Sequence, residues 1–218
     1  MGIIDKADGS AYVEQGNTKA LATVHGPHEA TYKSKAVHDR AILNTQYSVA
    51  TFATSERKSR IRDRRSLEIS RMIREVFERA VMTELAPRSQ IDIYVQVLQS
   101  DGGNLCASIN AAALALIDAG IAMRDFVCAC TASCIDETPI VDINYLEENA
   151  RGPDFSLAIF PRSEKVLLCH MNSRTHIDHL EGITDTAIQG CKDIFAVLNQ
   201  TVRERTEEQI ATISIDAL

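Results

Sequence analysis

The centre of the chain restricts the fold most, because a strand pattern there passes through two glycines directly into a helix pattern. Apolar and polar residues alternate along Ile91–Val97, as in a half-buried β-strand. Asp101-Gly102-Gly103 follows, and the helical run from Asn104 to about Ala119 ends at Gly120. The free N–H groups that open such a helix can bind an anion, but a glycine turn of this kind is more often simple geometry.

Strand and helix patterns also alternate along the rest of the chain. Gly16-Asn17 is a hairpin signal, and the polar stretch Gly26–Arg40 is predicted to be a mobile loop. The order of strands, helix, strand, helix, strands and helix predicts an α+β domain. The further predicted strands are Ser10–Gln15, Lys19–His25, Leu43–Phe52, Phe126–Ala132, Pro139–Asn144, Phe155–Phe160 and Lys165–Met171, and the further predicted helices are Ser66–Leu85 and Asp178–Arg205.

Length and composition set the class of protein. With 218 residues, 45% of them hydrophobic and 24% charged, the chain suits one domain over residues 1–218, with halves of about 1–125 and 126–218 that share a core. These fractions exclude wholesale disorder. No stretch approaches the roughly 20 apolar residues of a membrane helix, and the first residues do not resemble a signal peptide. We therefore expect a soluble intracellular protein that does not bind membranes.

The six cysteines are predicted to be free thiols in a reducing compartment. Alternation along Phe126–Cys130 puts Cys128 and Cys130 on one face of a strand, as small core residues. No second thiol pair or histidine pair follows at zinc spacing, so we predict that the cysteines bind no metal. The cysteines are Cys106, Cys128, Cys130, Cys134, Cys169 and Cys191.

One basic segment stands out from an acidic chain. The net charge is −7, which excludes a protein that binds nucleic acid over its whole surface. Glu56–Arg65, however, holds six cations and two acids. Charge alone leaves two interpretations open, a site for a local anionic ligand and a solvated loop that leads into a helix. The candidate RNA-binding cations within it are Lys58, Arg60, Arg62, Arg64 and Arg65.

Four motifs in order resemble the ribonuclease PH family. They are Ala7–Lys19 (ADGSAYVEQGNTK), Pro87–Ile93 (PRSQIDI), Val97–Gly103 (VLQSDGG) and Asp118–Asp125 (DAGIAMRD). The resemblance runs from about residue 3 to about residue 204 and implies a fold of two β-sheets with helices packed between and beside them. The family usually carries an earlier segment with an Arg-x-Asp-Gly-Arg motif, so we expect the printed sequence to be an incomplete form of the chain.

The resemblance implies a chemistry that can be checked position by position. Active members degrade RNA from the 3′ end: inorganic phosphate attacks the terminal phosphodiester and nucleoside diphosphates leave. Such a site needs cationic phosphate ligands, a divalent metal held by carboxylates and basic residues on the RNA backbone. Arg64 and Arg65 match the family's paired arginines that hold RNA, and the guanidinium fork suits phosphate.

The residues that would carry catalysis are altered. Active relatives read Gly-Gly-Thr-Arg where this chain reads Gly102, Gly103, Asn104 and Leu105, and Leu105 brings neither charge nor hydrogen-bond donor. Loss of one charge-assisted phosphate ligand costs about 1.5–3 kcal/mol in binding. Active relatives also carry two aspartates six residues apart. Asp142 persists here, but Glu148 stands at the second position, where an oxygen displaced by about 1 Å can cost ~10²-fold in rate. We therefore predict no catalytic residue and no bound metal.

The resulting hypothesis is a non-catalytic ring subunit of the RNA exosome, without a cofactor. By resemblance, it assembles with other ribonuclease PH-like ring subunits and S1/KH-type cap subunits, and it guides single-stranded RNA toward a hydrolytic exoribonuclease. The processed RNAs would include rRNA and mRNA, in the nucleus, nucleolus and cytoplasm. The alternative is an active phosphate-dependent 3′–5′ exoribonuclease that uses Mg²⁺ and inorganic phosphate. A fold relative without any RNA role is a third possibility.

Overall fold

The fold consists of eight strands, four α-helices and one 3₁₀ turn within the described part of the chain. The structure is a computed structural model, and it describes residues 1–30, 37–54, 57, 63–135, 138–149 and 152–216. The strands are β1 (Gly9–Gln15), β2 (Thr18–Glu29), β3 (Ile42–Val49), β4 (Ser89–Gln99), β5 (Cys128–Ile135), β6 (Thr138–Val141), β7 (Phe155–Phe160) and β8 (Lys165–Met171). The helices are α1 (Arg64–Ala80), α2 (Asn104–Asp118), α3 (Tyr145–Asn149) and α4 (Ile177–Asp216), with the 3₁₀ turn at Thr83–Leu85.

The strands form two four-stranded sheets. The first has the order β1-β2-β4-β3, in which β3 runs parallel to β4 and the other neighbours are antiparallel. The second is antiparallel throughout and has the order β6-β5-β7-β8. The predicted α+β class, with two sheets and with helices between and beside them, is confirmed.

Helix α2 is the layer between the two sheets. It contacts β1, β2 and β4 on one side and β5 and β7 on the other, and every residue from Leu105 to Leu116 is buried. A helix that is apolar all round requires such a position. Its alanines let the sheets approach closely: a Cβ built on Gly9 of β1 would lie 2.3 Å from the Ala115 carbonyl oxygen.

A buried amide fixes α2 to the second sheet. Asn110 is 1% exposed, and its side chain donates to the Ala129 carbonyl at 2.9 Å and accepts from the Ala129 N–H at 2.8 Å. Both halves of the amide are therefore satisfied by one residue of β5. A buried polar group deprived of these partners would leave unpaired atoms at a cost of about 1–3 kcal/mol.

The other long helices cover the outer faces. Helix α1 packs on β3 and also contacts β8, while α4 packs on β5, β6 and β7. Helix α1 buries Ile73, Val76 and Phe77 in the core. None of the described helices, α4 included, is long and apolar enough to cross a membrane.

Several predicted boundaries are wrong for identifiable reasons. Strand β2 continues to Glu29 through a stretch predicted to be a loop, because β4 lies alongside and pairs His28 with Gln90 and Glu29 with Ser89. Residues 31–36 of that stretch lie outside the described residues. Strand β3 ends at Val49, three residues before the predicted end, and α1 covers Arg64–Ala80 where Ser66–Leu85 was expected. The short helix α3 was not predicted at all.

The remaining boundaries agree more closely. Strands β7 and β8 and the start of α2 coincide with their predictions. β5 starts two residues later and ends three residues later than predicted, β6 starts one residue earlier and ends three residues earlier, and α4 continues beyond Arg205 to Asp216. Cys128 and Cys130 are buried, as the alternation predicts, but Ala129 between them is buried as well. The reason is that β5 lies between α2 and α4, so both of its faces are covered. All six cysteines are free thiols.

We expect Gly9→Ala to destabilise the protein, because the added methyl would meet backbone atoms of α2 that cannot move independently. Overpacking of this kind costs about 1–3 kcal/mol in the free energy of unfolding. Gly182→Ala is the matched control: Gly182 is exposed in α4, and no atom lies within 4 Å of the place that a Cβ would take. That variant should gain about 0.5–1 kcal/mol from helix propensity. Urea unfolding of both variants tests the difference, and equal stabilities would contradict it.

Candidate RNA and phosphate site

A cleft of about 1200 Å³ opens where the two sheets and the beginnings of three helices meet. Strand β3 and the turn after it form one wall, and β7 and β8 form the other. The first residues of α1 and α2, together with Glu148 of α3, complete the lining. Six of the residues predicted to form the site line this one cleft: Arg64, Arg65, Gly103, Asn104, Leu105 and Glu148.

The two arginines stand at the start of α1. Arg64 and Arg65 are the first two helical residues, the first turn holds no acid, and Asp63 makes no side-chain cap hydrogen bond. Cations in this position oppose the helix dipole, at a typical cost of about 0.3–1 kcal/mol each. The helix dipole therefore does not favour these residues, whereas an anionic ligand in the cleft would. Lys58, Arg60 and Arg62 lie outside the described residues, so their placement stays a prediction.

Arg65 forms an ion pair across the cleft. Its Nη2 lies 3.1 Å from Oε1 of Glu148, and the side chains are 69% and 25% exposed respectively. The buried hydroxyl of Tyr47 lies close enough for the charges of both residues to act on it, and burial raises the pKa of Tyr47 well above its ordinary value. Glu148, predicted as a remnant of a metal-binding pair, thus contacts a cation of the predicted RNA-binding segment.

Helix α3 holds Glu148 in this place through a reciprocal cap. The side-chain oxygen of Asn144 accepts from the N–H groups of Leu146 and Glu147 at 2.9 and 3.0 Å, and Glu147 Oε2 accepts from the Asn144 N–H at 2.8 Å. This is the capping-box arrangement, which starts even a short helix reliably. The sequence Asn144-x-x-Glu147 is a signal that could have revealed α3 in advance.

The glycine turn before α2 brings α3 close to the start of that helix. Gly102 has φ +100°, and a Cβ there would lie 2.3 Å from the Ile143 carbonyl oxygen. Gly103 is the N-cap in the left-handed conformation, at φ +59°. The hydroxyl of Thr18 accepts from the Asp101 N–H at 3.1 Å and donates to the Gly102 carbonyl at 2.7 Å, which fixes the turn.

The predicted phosphate position holds one amide and one apolar side chain. Asn104 donates from Nδ2 to Ser100 Oγ at 2.8 Å, and Leu105 is 9% exposed and packs into the hydrophobic core. Oδ1 of Asn104 and Oγ1 of Thr131 are buried and have no hydrogen-bond partner among the described residues. The start of α2 therefore offers unpaired polar side-chain atoms and an N-terminus without a side-chain cap, but Leu105 supplies no charge.

Asp142 lies outside the main cleft and lines a smaller neighbouring one of about 270 Å³. Its Oδ1 accepts from Gln15 Nε2 at 3.0 Å, and Oε1 of Gln15 accepts from Asn110 at 3.3 Å. A continuous polar chain thus runs from the core amide of α2 to this carboxylate. Although the residue is exposed overall, partial desolvation raises the pKa of Asp142, while the Gln15 hydrogen bond opposes the shift and the Glu147 and Asp101 charges reinforce it.

The carboxylates do not fit a divalent metal site. Asp142 is engaged by an amide donor and Glu148 by a guanidinium. In the part of the chain that the structure describes, no group of three His, Cys, Asp or Glu side chains is arranged to hold a metal ion. Mg²⁺ prefers several oxygen ligands in octahedral geometry, whereas Gln15 occupies Oδ1 of Asp142 and Arg65 occupies Oε1 of Glu148. The absence of a metal nevertheless stays a prediction.

Several residues of the site escaped the sequence reasoning. Tyr47, Phe52, His170 and Asn172 all line the cleft. The first two precede the basic segment within a run that reads only as a strand, and the other two lie at the end of β8. Asn110, which follows the cleft residues in α2, was not predicted either. A signal for it exists, because a lone amide within an alanine-rich buried helix indicates a specific polar contact.

Comparison with known proteins identifies the family. The first domain of the 3′ exoribonuclease family matches residues 1–122, and its second domain matches residues 125–190. The matches cover most of the chain, so the chain belongs to the 3′ exoribonuclease, or ribonuclease PH, family. The resemblance seen in the four sequence motifs is confirmed.

Individual relatives agree with this assignment. Exosome complex component RRP41 of Homo sapiens is 52% identical over 210 residues, which cover 95% of this chain and 86% of the human protein. The crystal structure of rice Rrp46 superposes with a TM-score of 0.81 at 22% identity, covering 92% of this chain and 91% of the rice chain. A chain of the Archaeoglobus fulgidus exosome with RNA bound to the active site gives a TM-score of 0.75 at 19% identity, covering 88% of this chain and 84% of that one. These two structures confirm the fold.

We expect Asp142→Asn to stabilise the protein at neutral pH. Because the folded pKa is raised, the folded state binds more protons than the unfolded chain between the ordinary aspartate pKa of about 3.9 and the raised value, so stability falls as the pH rises through that window. Asparagine keeps an oxygen for Gln15 and tolerates the φ of +59° at this position.

The comparison is made by urea unfolding of wild type and variant at two pH values. The gain should be present at neutral pH and should disappear below about pH 3.9, where the aspartate is protonated in both states. A variant that is less stable than wild type at neutral pH would show that the carboxylate contributes favourably, contrary to the expectation.

Proposed function

We propose that this chain is a ring subunit of the RNA exosome, of the RRP41 type, that binds and guides single-stranded RNA without degrading it. The observation that carries the proposal is the composition of the cleft: Arg64 and Arg65 line it, while Leu105 occupies the position where active relatives have a phosphate-binding arginine. Such a cleft can hold an RNA backbone, but it lacks the charge that would hold the attacking phosphate.

The names of the relatives support the assembly. The human relative is an exosome complex component, and the Archaeoglobus fulgidus structure is an exosome with RNA bound to its active site. We propose that this chain likewise assembles with other ribonuclease PH-like ring subunits, S1/KH-type cap subunits and a hydrolytic exoribonuclease. Its substrates would be rRNA, mRNA and other RNAs in the nucleus, nucleolus and cytoplasm. It would need no cofactor of its own.

Electrostatics makes the basic segment essential to this role. Among the described residues that line the cleft, two arginines face four carboxylates, those of Asp63, Glu68, Glu148 and Asp154. Arg64 is also paired with Glu68 at 3.3 Å. The described lining alone therefore carries an excess of negative charge, and we propose that Lys58, Arg60 and Arg62 add the missing positive charge. Contacts to phosphates without base readout would let RNA slide along the path.

The alternative is an active phosphorolytic exoribonuclease that uses Mg²⁺ and phosphate, with a neighbouring subunit supplying the missing ligand. Two observations favour it: Asp142 is retained although its raised pKa makes it unfavourable for stability at neutral pH, and Asn104 and Thr131 keep buried polar atoms without partners among the described residues, beside the start of α2. The two functions differ in one product, nucleoside diphosphate.

The first test is RNA degradation by the complex reconstituted with its ring partners, with Mg²⁺ and with or without inorganic phosphate. We expect bound RNA and no phosphate-dependent release of nucleoside diphosphates from end-labelled single-stranded RNA. Leu105→Arg combined with Asn104→Thr restores the phosphate ligands of active relatives and should create or raise such release if the site is a disabled enzyme. Release by the unmodified complex that Asp142→Asn abolishes would overturn the proposal in favour of the alternative.

The second test concerns RNA affinity. Arg64→Gln with Arg65→Gln should weaken binding to the assembled complex and make log K less dependent on log salt concentration, by about 0.7 for each phosphate of a single strand that is no longer neutralised. Arg71→Gln with Arg74→Gln is the matched control, because these arginines lie on the same helix, pair with Glu75 and Glu78, and do not line the cleft. Equal behaviour of the two double variants would leave only the fold relationship, without an RNA role at this site.

A further inference from the structure

Phe52 presents an aromatic ring to the cleft. It lies in the turn after β3, lines the cleft together with Arg64 and Arg65, and is 68% exposed. A single exposed apolar residue is ordinary on a protein surface. The position of Phe52 is unusual, because it shares a cleft with the two arginines that match the family's RNA-binding pair.

The turn holds Phe52 rigidly. Ala50 and Ala53 on either side of it are 5% and 6% exposed. The Ala50 N–H donates to the Val97 carbonyl at 2.9 Å, and the Ser100 N–H donates to the Ala53 carbonyl at 3.0 Å, so both flanks are fixed to the end of β4. A further hydrogen bond from the Ala53 N–H to the Ala50 carbonyl closes the turn at 3.0 Å. The backbone on both sides of Phe52 is thereby anchored, and the side chain between these anchors is exposed.

The other ring systems of the cleft are less suited to contact a ligand. Tyr47 lines the same cleft but is 6% exposed, so its ring belongs to the core. His170, on the opposite wall, is only partly exposed. Among the described lining residues, Phe52 is therefore the phenyl ring whose face is open to solvent.

We propose that Phe52 is a stacking platform for one nucleobase of the single-stranded RNA that Arg64 and Arg65 hold by its phosphates. The proposal rests on the proposed function of the cleft. Aromatic stacking accepts any base, since every base has a π face, and it needs no charge. It therefore supplies affinity where the described lining carries more carboxylates than arginines, and it is compatible with RNA that slides without base readout.

The experiment measures the affinity of the assembled complex for oligouridine and oligoadenosine over a series of salt concentrations. Phe52→Ala should weaken binding by between about 5-fold and 150-fold, the range found for loss of one stacked base, while Phe52→Trp should retain it. The salt dependence should not change, because the protein still neutralises the same phosphates. Leu67→Ala is the matched control, since Leu67 is 55% exposed next to Arg65 and Ser66 but does not line the cleft.

The outcomes separate this proposal from the function on which it rests. Wild-type affinity of Phe52→Ala, together with a reduced salt dependence of the Arg64 and Arg65 double variant, would overturn the stacking platform and leave the RNA-binding function standing. Loss of affinity in Leu67→Ala equal to that in Phe52→Ala would also overturn it. If Phe52→Ala prevents assembly, Phe52→Leu decides: weaker binding with unchanged salt dependence supports stacking, and wild-type affinity or failed assembly makes Phe52 a residue of a protein interface.

Discussion

Burial of α2 between the two sheets is the constraint on which the rest of the structure depends. The helix is apolar on all sides, so it is stable only when both of its faces are covered. Its alanines and Gly9 allow β1 to approach within van der Waals distance of its backbone. Asn110 then sets the register against β5 through two hydrogen bonds to one residue. A shift of α2 by one residue would leave this amide unpaired and drive β1 into the helix backbone.

The same helix organises the cleft. Its first residues lie at the floor, its N-cap turn brings the Ile143–Asn144 backbone close, and Asn110 orients Gln15, which in turn holds Asp142. The site is therefore an extension of the core packing, which gives the cleft its shape independently of the side chain at Leu105. Within the cleft, Arg65 forms an ion pair with Glu148.

Local patterns predicted the elements that are decided locally. Strands β7 and β8, the β1–β2 hairpin and the start of α2 follow from alternation, from Gly16-Asn17 and from the double glycine. The errors fall where distant residues decide the structure. β2 extends to Glu29 because it pairs with β4. Both faces of β5 are buried because α2 and α4 cover them. Helix α3 is an exception, because the capping box that starts it is visible in the sequence as Asn144 and Glu147.

The sequence by itself determined the family and the α+β class, and it predicts a missing phosphate ligand at Leu105, because motifs and residue types are properties of the chain that need no coordinates. Only the tertiary structure decided which of these residues meet. Glu148 and Arg65 are 83 positions apart and pair at 3.1 Å. Asp142 accepts a hydrogen bond from Gln15, and Phe52 is exposed in the cleft that the arginines line. Such contacts depend on the packing of α2 against both sheets, and no local pattern of residues encodes the distance between side chains that the fold brings together.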